Sequence, residues 1–146
     1  MLFRSRIHII ERLHSNAPVQ YHFYMTSVIR NLIGNAIESF NSQSVGTIEI
    51  DLVEDLETVT LIISDNGCGI QEKNMPFIFN PGFSTKYESD SGDSRRGVGL
   101  VVVKSLVEQV FCGTVAVSTE AGKGTTFTLS FDVNCLKEGK PCDSTS

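Results

Sequence analysis

The sequence predicts an α/β domain, on three observations. Phe23 to Phe40 repeats apolar residues at helical spacing, two pairs of β-branched runs read as hairpins, and a second helical stretch lies between those hairpins. The chain has 146 residues, 40% apolar and 20% charged, enough to bury one core and unlike a disordered or fibrous chain. Residues 1–133 are read as one domain. Residues 134–146 are polar, lack a core pattern and are expected to be a disordered tail.

In chain order, Ile7, Ile9 and Glu11 to Leu13 predict a short edge strand, closed by the turn Asn16-Ala17-Pro18. Met25, Val28, Ile29, Leu32, Ile33, Ala36, Ile37 and Phe40 recur at three- and four-residue steps, an amphipathic helix of about five turns. After the polar loop Asn41 to Gly46, Thr47 to Val53 and Val59 to Ser64 form the first hairpin around Glu54-Asp55-Leu56-Glu57. Gly99 to Val110 is the second helix. Gly113 to Thr119 and Thr125 to Val133 form the second hairpin, around the Gly-rich turn Glu120 to Gly124. Asn80 to Arg96 has little periodicity and is read as a long mobile loop, a length at which unstructured loops are usually functional, here as a lid.

Twelve Lys plus Arg against seventeen Asp plus Glu give a net charge of −5, with no basic run, which argues against a nucleic-acid surface or a polybasic membrane contact. The longest apolar run, Val98 to Val103, falls far short of the roughly 20 residues that span a bilayer, and the first residues lack a signal-peptide pattern. Cys68, Cys112, Cys135 and Cys142 contain no CxxC pair and fit a reducing cytosolic setting better than a disulfide scaffold or a zinc site.

Four segments carry candidate chemistry. Asn31 and Asn35, four apart on the long helix, share one face with Glu38 and Ser39 a turn further on, and their amide oxygens are hard neutral ligands suited to Mg²⁺ beside phosphate. Asp65-Asn66-Gly67-Cys68-Gly69-Ile70 follows an apolar strand. A carboxylate there, with two glycines letting the backbone come close, can accept from the exocyclic amine of adenine, where guanine would oppose it with a carbonyl oxygen. Arg95-Arg96-Gly97-Val98-Gly99-Leu100 opens the second helix, so its N–H groups and dipole can meet phosphates. In Phe77-Ile78-Phe79-Asn80-Pro81-Gly82-Phe83-Ser84-Thr85-Lys86, the aromatics can anchor the lid while Ser84, Thr85 and Lys86 reach a phosphate. Each segment alone also has a plainer reading: solvated asparagines, an Asp-Asn-Gly turn, a Gly-x-Gly of low specificity, a small apolar cluster.

Taken in order, NLIGNA, DNGCGI, FIFNPGFSTK, RRGVGL and GKGTTF resemble the N, G1, F and G2 boxes and closing strand of the ATP-binding catalytic domain of sensor histidine kinases, within the GHKL ATPase superfamily. The likeness covers roughly residues 5 to 133. It implies a two-layer α/β sandwich of the Bergerat type, with a mixed, largely antiparallel sheet, helices on one face and ATP held under a mobile lid. By the same resemblance Asn35 is the Mg²⁺ ligand and Asn31 the first Asn of the N box, the two forming the catalytic pair. Asp65 reads adenine, and Thr125 helps hold the base-side water. Gly67, Gly69, Ile70, Gly97, Val98, Gly99 and Leu100 belong to the two G boxes, Phe77 and Phe79 to the F box, and Arg96 and Lys86 flank the phosphates.

Phe111-Cys112-Gly113 stands where many members have His-Gly-Gly, away from the nucleotide contacts. No acceptor-box pattern surrounds His8, His14 or His22, which read as surface histidines. The resemblance therefore implies half of an enzyme. It would take the γ-phosphoryl of Mg-ATP to a histidine on a separate dimerisation and phosphotransfer domain, and work upstream of a response regulator. The chain by itself is expected to be monomeric and cytoplasmic, the cytosolic part of a larger receptor. The alternatives are a GHKL-type ATPase such as DNA gyrase or the mismatch-repair enzymes, and an anti-sigma-type serine kinase. Both resembling groups place a Glu where Asn31 stands, as base for water, and an amide cannot take that proton.

Overall fold

The computed structural model describes residues 6–14, 22–40, 45–81 and 99–138. The elements are β1 (Arg6–His14), α1 (His22–Ser39), β2 (Val45–Glu54), β3 (Thr58–Asp65), a 3₁₀ turn (Glu72–Phe77), α2 (Gly99–Ser105), β4 (Thr114–Glu120), β5 (Gly124–Asp132) and α3 (Val133–Glu138). The strands make one sheet in the order β1-β2-β3-β5-β4. Only β1 runs parallel to its neighbour, as α1 carries the chain back across the sheet between β1 and β2, so the sheet is mixed and largely antiparallel as expected. β1 is an edge strand, exposed from His8 to Arg12. Arg12 ties it to β2 through Glu49 at 2.9 Å and Asp51 at 3.2 Å, an exposed pairing weakened by solvent screening.

The core lies on one face of the sheet. Val59, Leu61 and Ile63 of β3 and Phe127, Leu129 and Phe131 of β5 are buried, while Thr60, Ile62, Thr126, Thr128 and Ser130 between them are only half-buried, the period-2 pattern of a sheet covered on one side. Val28, Leu32, Ala36 and Phe40 form the stripe that α1 lays on this face, each spaced by four residues. The second helix supplies Val103, Val107 and Phe111, all fully buried. Its last turn, Leu106–Val110, widens to π geometry, and the Phe111 N–H donates to the Leu106 carbonyl at 3.1 Å. Phe111 then meets Phe131 edge-on, with ring centroids 5.8 Å apart.

The expectation of a disordered tail from residue 134 is corrected for its first part. Residues up to Glu138 form α3, with Val133 and Leu136 buried. Asp132 ends β5 and caps the helix, its Oδ1 accepting the N–H groups of Asn134 at 2.8 Å and Cys135 at 3.3 Å. A second correction concerns the cysteines. Cys68 and Cys135 are free thiols, whereas Cys112 is disulfide-bonded; spacing along the chain does not say which thiols a fold brings together. Among the described residues no helix is long and apolar enough to cross a membrane. Most of the loop read as a lid lies outside the described residues, and with it Lys86, Arg96, Gly97 and Val98.

Candidate active site

Asp65 is the last residue of β3 and lies in register with Ile48 of β2 on one side and Thr125 of β5 on the other. Thr125 is in turn paired with Thr119 of β4. Residues opposite one another on antiparallel strands share a face, so Asp65, Thr125 and Thr119 form a polar row across three strands at one end of the apolar core. Thr125 is the buried polar residue among those described.

The loop after Asp65 is moored on three sides by hydrogen bonds. Asn66 pairs with β2, its Oδ1 accepting the Thr47 N–H at 2.8 Å. The Cys68 N–H donates to the Ser39 carbonyl at the end of α1, at 2.9 Å, and the Cys68 carbonyl accepts from Gly122 in the β4–β5 turn, at 2.7 Å. The Ile70 N–H donates to Thr119 Oγ1 at 2.8 Å. The two glycines expected here are required by the packing. A side chain at Gly67 would run into Ser39, and Gly69 has φ +70° with its backbone against the Glu120 carbonyl.

The Asp65 carboxylate accepts the Gly67 N–H at 2.9 Å and faces the Ser39 hydroxyl at 3.2 Å, the latter bonding more closely to the Ala36 carbonyl at 2.6 Å. Burial pushes its pKa above the ordinary carboxylate value, against the opposing pull of the Gly67 N–H, the Ser39 hydroxyl and the Thr125 N–H. The site thus holds a carboxylate at a desolvation cost, a pattern found at functional sites more than in structural ones.

On α1, Asn31 donates from Nδ2 to the Ser27 carbonyl at 2.8 Å, which turns Oδ1 outward. That oxygen lies 3.0 Å from where a Cβ on Gly99 would stand, so the first residue of α2 is packed against the asparagine. Asn31 of α1 and Gly99 of α2, 68 positions apart in sequence, are thus neighbours. Asn35 lies one turn on along the same side of α1 and is half-buried, as are Ile70 and Leu100. Among the described residues no group of three or more His, Cys, Asp and Glu side chains is placed to hold a metal ion. Phe79 packs against the core and carries Lys104 Nζ over its ring, 5.2 Å from the centroid, while Phe77 is half-exposed.

Thr119 and Lys104 were not among the residues the sequence singles out, and Ser39 appeared only as a neighbour of the asparagines. Thr119 had a usable signal: it and Thr125 flank the Gly-rich turn symmetrically, so a hairpin must place them opposite each other.

Solved structures share this architecture. The mycobacterial sensor histidine kinase MprB superimposes with a TM-score of 0.69 at 20% identity, over 88% of this chain and 83% of that one. The catalytic domain of histidine kinase ThkA superimposes with a TM-score of 0.68 at 21% identity, over 86% and 78%. In sequence, sensor histidine kinase ZraS of Escherichia coli strain K12 is 37% identical over 114 residues, 78% of this chain and 23% of that protein. The heme sensor protein HssS of Staphylococcus saprophyticus is 36% identical over 102 residues, 70% of this chain and 21% of that protein. The chain thus spans under a quarter of the length of these curated relatives. Residues 23–134, from the start of α1 to the start of α3, match the histidine kinase-, DNA gyrase B- and HSP90-like ATPases as a family, and the chain belongs to it.

Proposed function

We propose that the chain is the ATP-binding catalytic part of a sensor histidine kinase, passing the γ-phosphoryl of ATP to a histidine on a dimerisation and phosphotransfer domain, from which a response regulator is charged. The observation that carries this reading is the packing of Asn31 against Gly99: an amide, not a carboxylate, meets the start of α2. A general base for water must accept a proton, and an amide does not. Bound ATP therefore waits for a nucleophile that needs no such base, the neutral imidazole of the acceptor. The bond from that nitrogen to the γ-phosphorus forms as the bond to the β–γ bridging oxygen breaks, and ADP leaves. Catalysis is then mostly positioning and charge stabilisation.

In this reading Asp65 accepts from the adenine amine. Gly67, Gly69 and Ile70 bring the main chain close to the base, and Thr125 lies beside it. Gly99 and Leu100 at the start of α2 face the phosphates, and Gly97, Val98, Arg96 and Lys86, which precede them in sequence, are assigned to the same group. Asn35 would hold Mg²⁺ through its side-chain oxygen, and the ion supplies positive charge to the phosphates. ATP as substrate puts the working location in the cytosol.

The test is turnover of γ-labelled ATP by the purified chain, alone and with a matching acceptor-histidine domain. Slow hydrolysis alone, and acid-labile phosphate on the acceptor when both are present, are expected. Rapid hydrolysis by the chain alone, or acid-stable phosphate on the acceptor, would overturn the reading in favour of an ATPase or a serine kinase.

A further inference from the structure

α1 buries one side in the core, through Val28, Leu32, Ala36 and Phe40, and leaves the opposite side to solvent. At about 100° per residue, Phe23, Ser27, Arg30, Gly34 and Ile37 lie about 160° round the helix from the buried stripe. Phe23 is 74% exposed and Ile37 44%, so two apolar side chains stand in water at the ends of a strip about 21 Å long. Ser27 and Gly34 between them are small. Arg30, at the centre, is exposed and makes no ion pair among the described residues. Successive members are four, three, four and three residues apart, on average about 3.5, the repeat that keeps one helix in lengthwise contact with another.

Gly34 is the informative member of the strip. A Cβ added there would meet no atom within 4 Å, so nothing in this chain's own packing requires glycine. Alanine would make the more stable helix, since glycine gives up more backbone freedom when a helix forms. A bare backbone at such a place lets a second helix come nearer than a side chain would allow. Gly34 also stands three residues after Asn31 and immediately before Asn35.

We infer that this strip of α1 is the docking surface for the helix that carries the acceptor histidine, with Gly34 as the point of closest approach. The inference rests on the proposed function, which puts Asn31 and Asn35 at the phosphates, and adds the surface over which the acceptor arrives. The imidazole must reach the γ-phosphorus, so the element bearing it has to pass beside the asparagines, where Gly34 leaves room. The repeat of about 3.5 residues fits a helix rather than a strand. Its chemistry follows by complementarity: apolar side chains opposite Phe23 and Ile37, and a carboxylate opposite Arg30.

The experiment measures transfer from γ-labelled ATP to the matching acceptor-histidine domain at varied concentrations of that domain, with calorimetry of ATP binding and thermal melts of the same variants. Gly34→Gln puts a helix-favouring side chain into open space. It should leave Tm no lower than wild type and ATP affinity unchanged, while the KM for the acceptor domain rises at least about tenfold. Phe23→Ser should raise that KM about tenfold through the lost aromatic contact, and Arg30→Glu likewise, more strongly at low ionic strength. A wild-type KM in all three variants overturns the inference. So does a fall in ATP affinity that matches the loss of transfer, which would make the strip part of the nucleotide site. Self-association of the wild type in sedimentation, abolished by Gly34→Gln while transfer is untouched, would assign the strip to a second copy of the chain and also overturns it. Failure of the wild type to charge the acceptor at all overturns the proposed function itself, so the two failures are distinguishable.

Discussion

Asp65 lies where burial disfavours its charged form. Burial raises its pKa above the ordinary 3.8, so the folded state binds the proton more tightly than the unfolded chain does. Its contribution to stability is therefore fully present below 3.8 and is lost as pH rises through the raised folded value. Replacing it with Asn removes that loss. We expect Asp65→Asn to flatten the dependence of Tm on pH just above the ordinary carboxylate range and to leave stability at neutral pH no lower than wild type. ATP affinity should meanwhile fall by about 1.5–3 kcal/mol, since a charged acceptor has gone. Thermal melts across pH and calorimetric titration check the two halves; unchanged ATP affinity contradicts the role of Asp65. At this scale the residues legible in the sequence were those whose meaning is local: Asp65 beside its glycines, and Asn31 one helical turn from Asn35. Ser39 and Thr119 were not, because their partners, Asp65 and Ile70, are far away in the chain and meet them only once the chain has folded.

Among the elements, α1 was readable because its apolar residues repeat over the whole helix, and β3 and β5 because their buried positions alternate. α3 was not readable. It is six residues long, two of its described side chains are buried, and the cap that starts it, Asp132, reads in sequence as the polar end of a strand. The helix nonetheless closes the core beside Phe131. Leu136→Ala should cost about 2–5 kcal/mol of stability, the range for deleting a buried leucine, and Asp132→Ala about 1 kcal/mol through the lost cap. Urea denaturation of the two variants decides whether α3 is part of the folded unit: losses well under these values for both would make it an appendage. The parallel pairing of β1 was also hidden. An edge strand can be recognised from its residues, but the direction in which it pairs is set by the α1 crossover.

As a whole molecule the chain is one sheet, one core and one preformed polar row, so it should unfold in a single transition and be stabilised by what it binds. Mg-ATP at a hundredfold its dissociation constant should add about 2.7 kcal/mol, seen as a rise in Tm, with Mg-GTP adding less at the same concentration. No rise with ATP would contradict a site formed before the nucleotide arrives. The fold class and the order of elements were legible in the sequence, whereas the order of strands in space was not. β5 is the last strand to be made, yet it sits between β3 and β4. During synthesis, a chain that has emerged only as far as Glu120 has its first hairpin and one strand of the second, but β3 waits with an open edge and Asp65 has no threonine beside it. Nucleotide recognition thus begins only when residues 124–132 are threaded into the gap, and until then the same vacant edge is the place where a nascent chain is most exposed to pairing with the wrong strand.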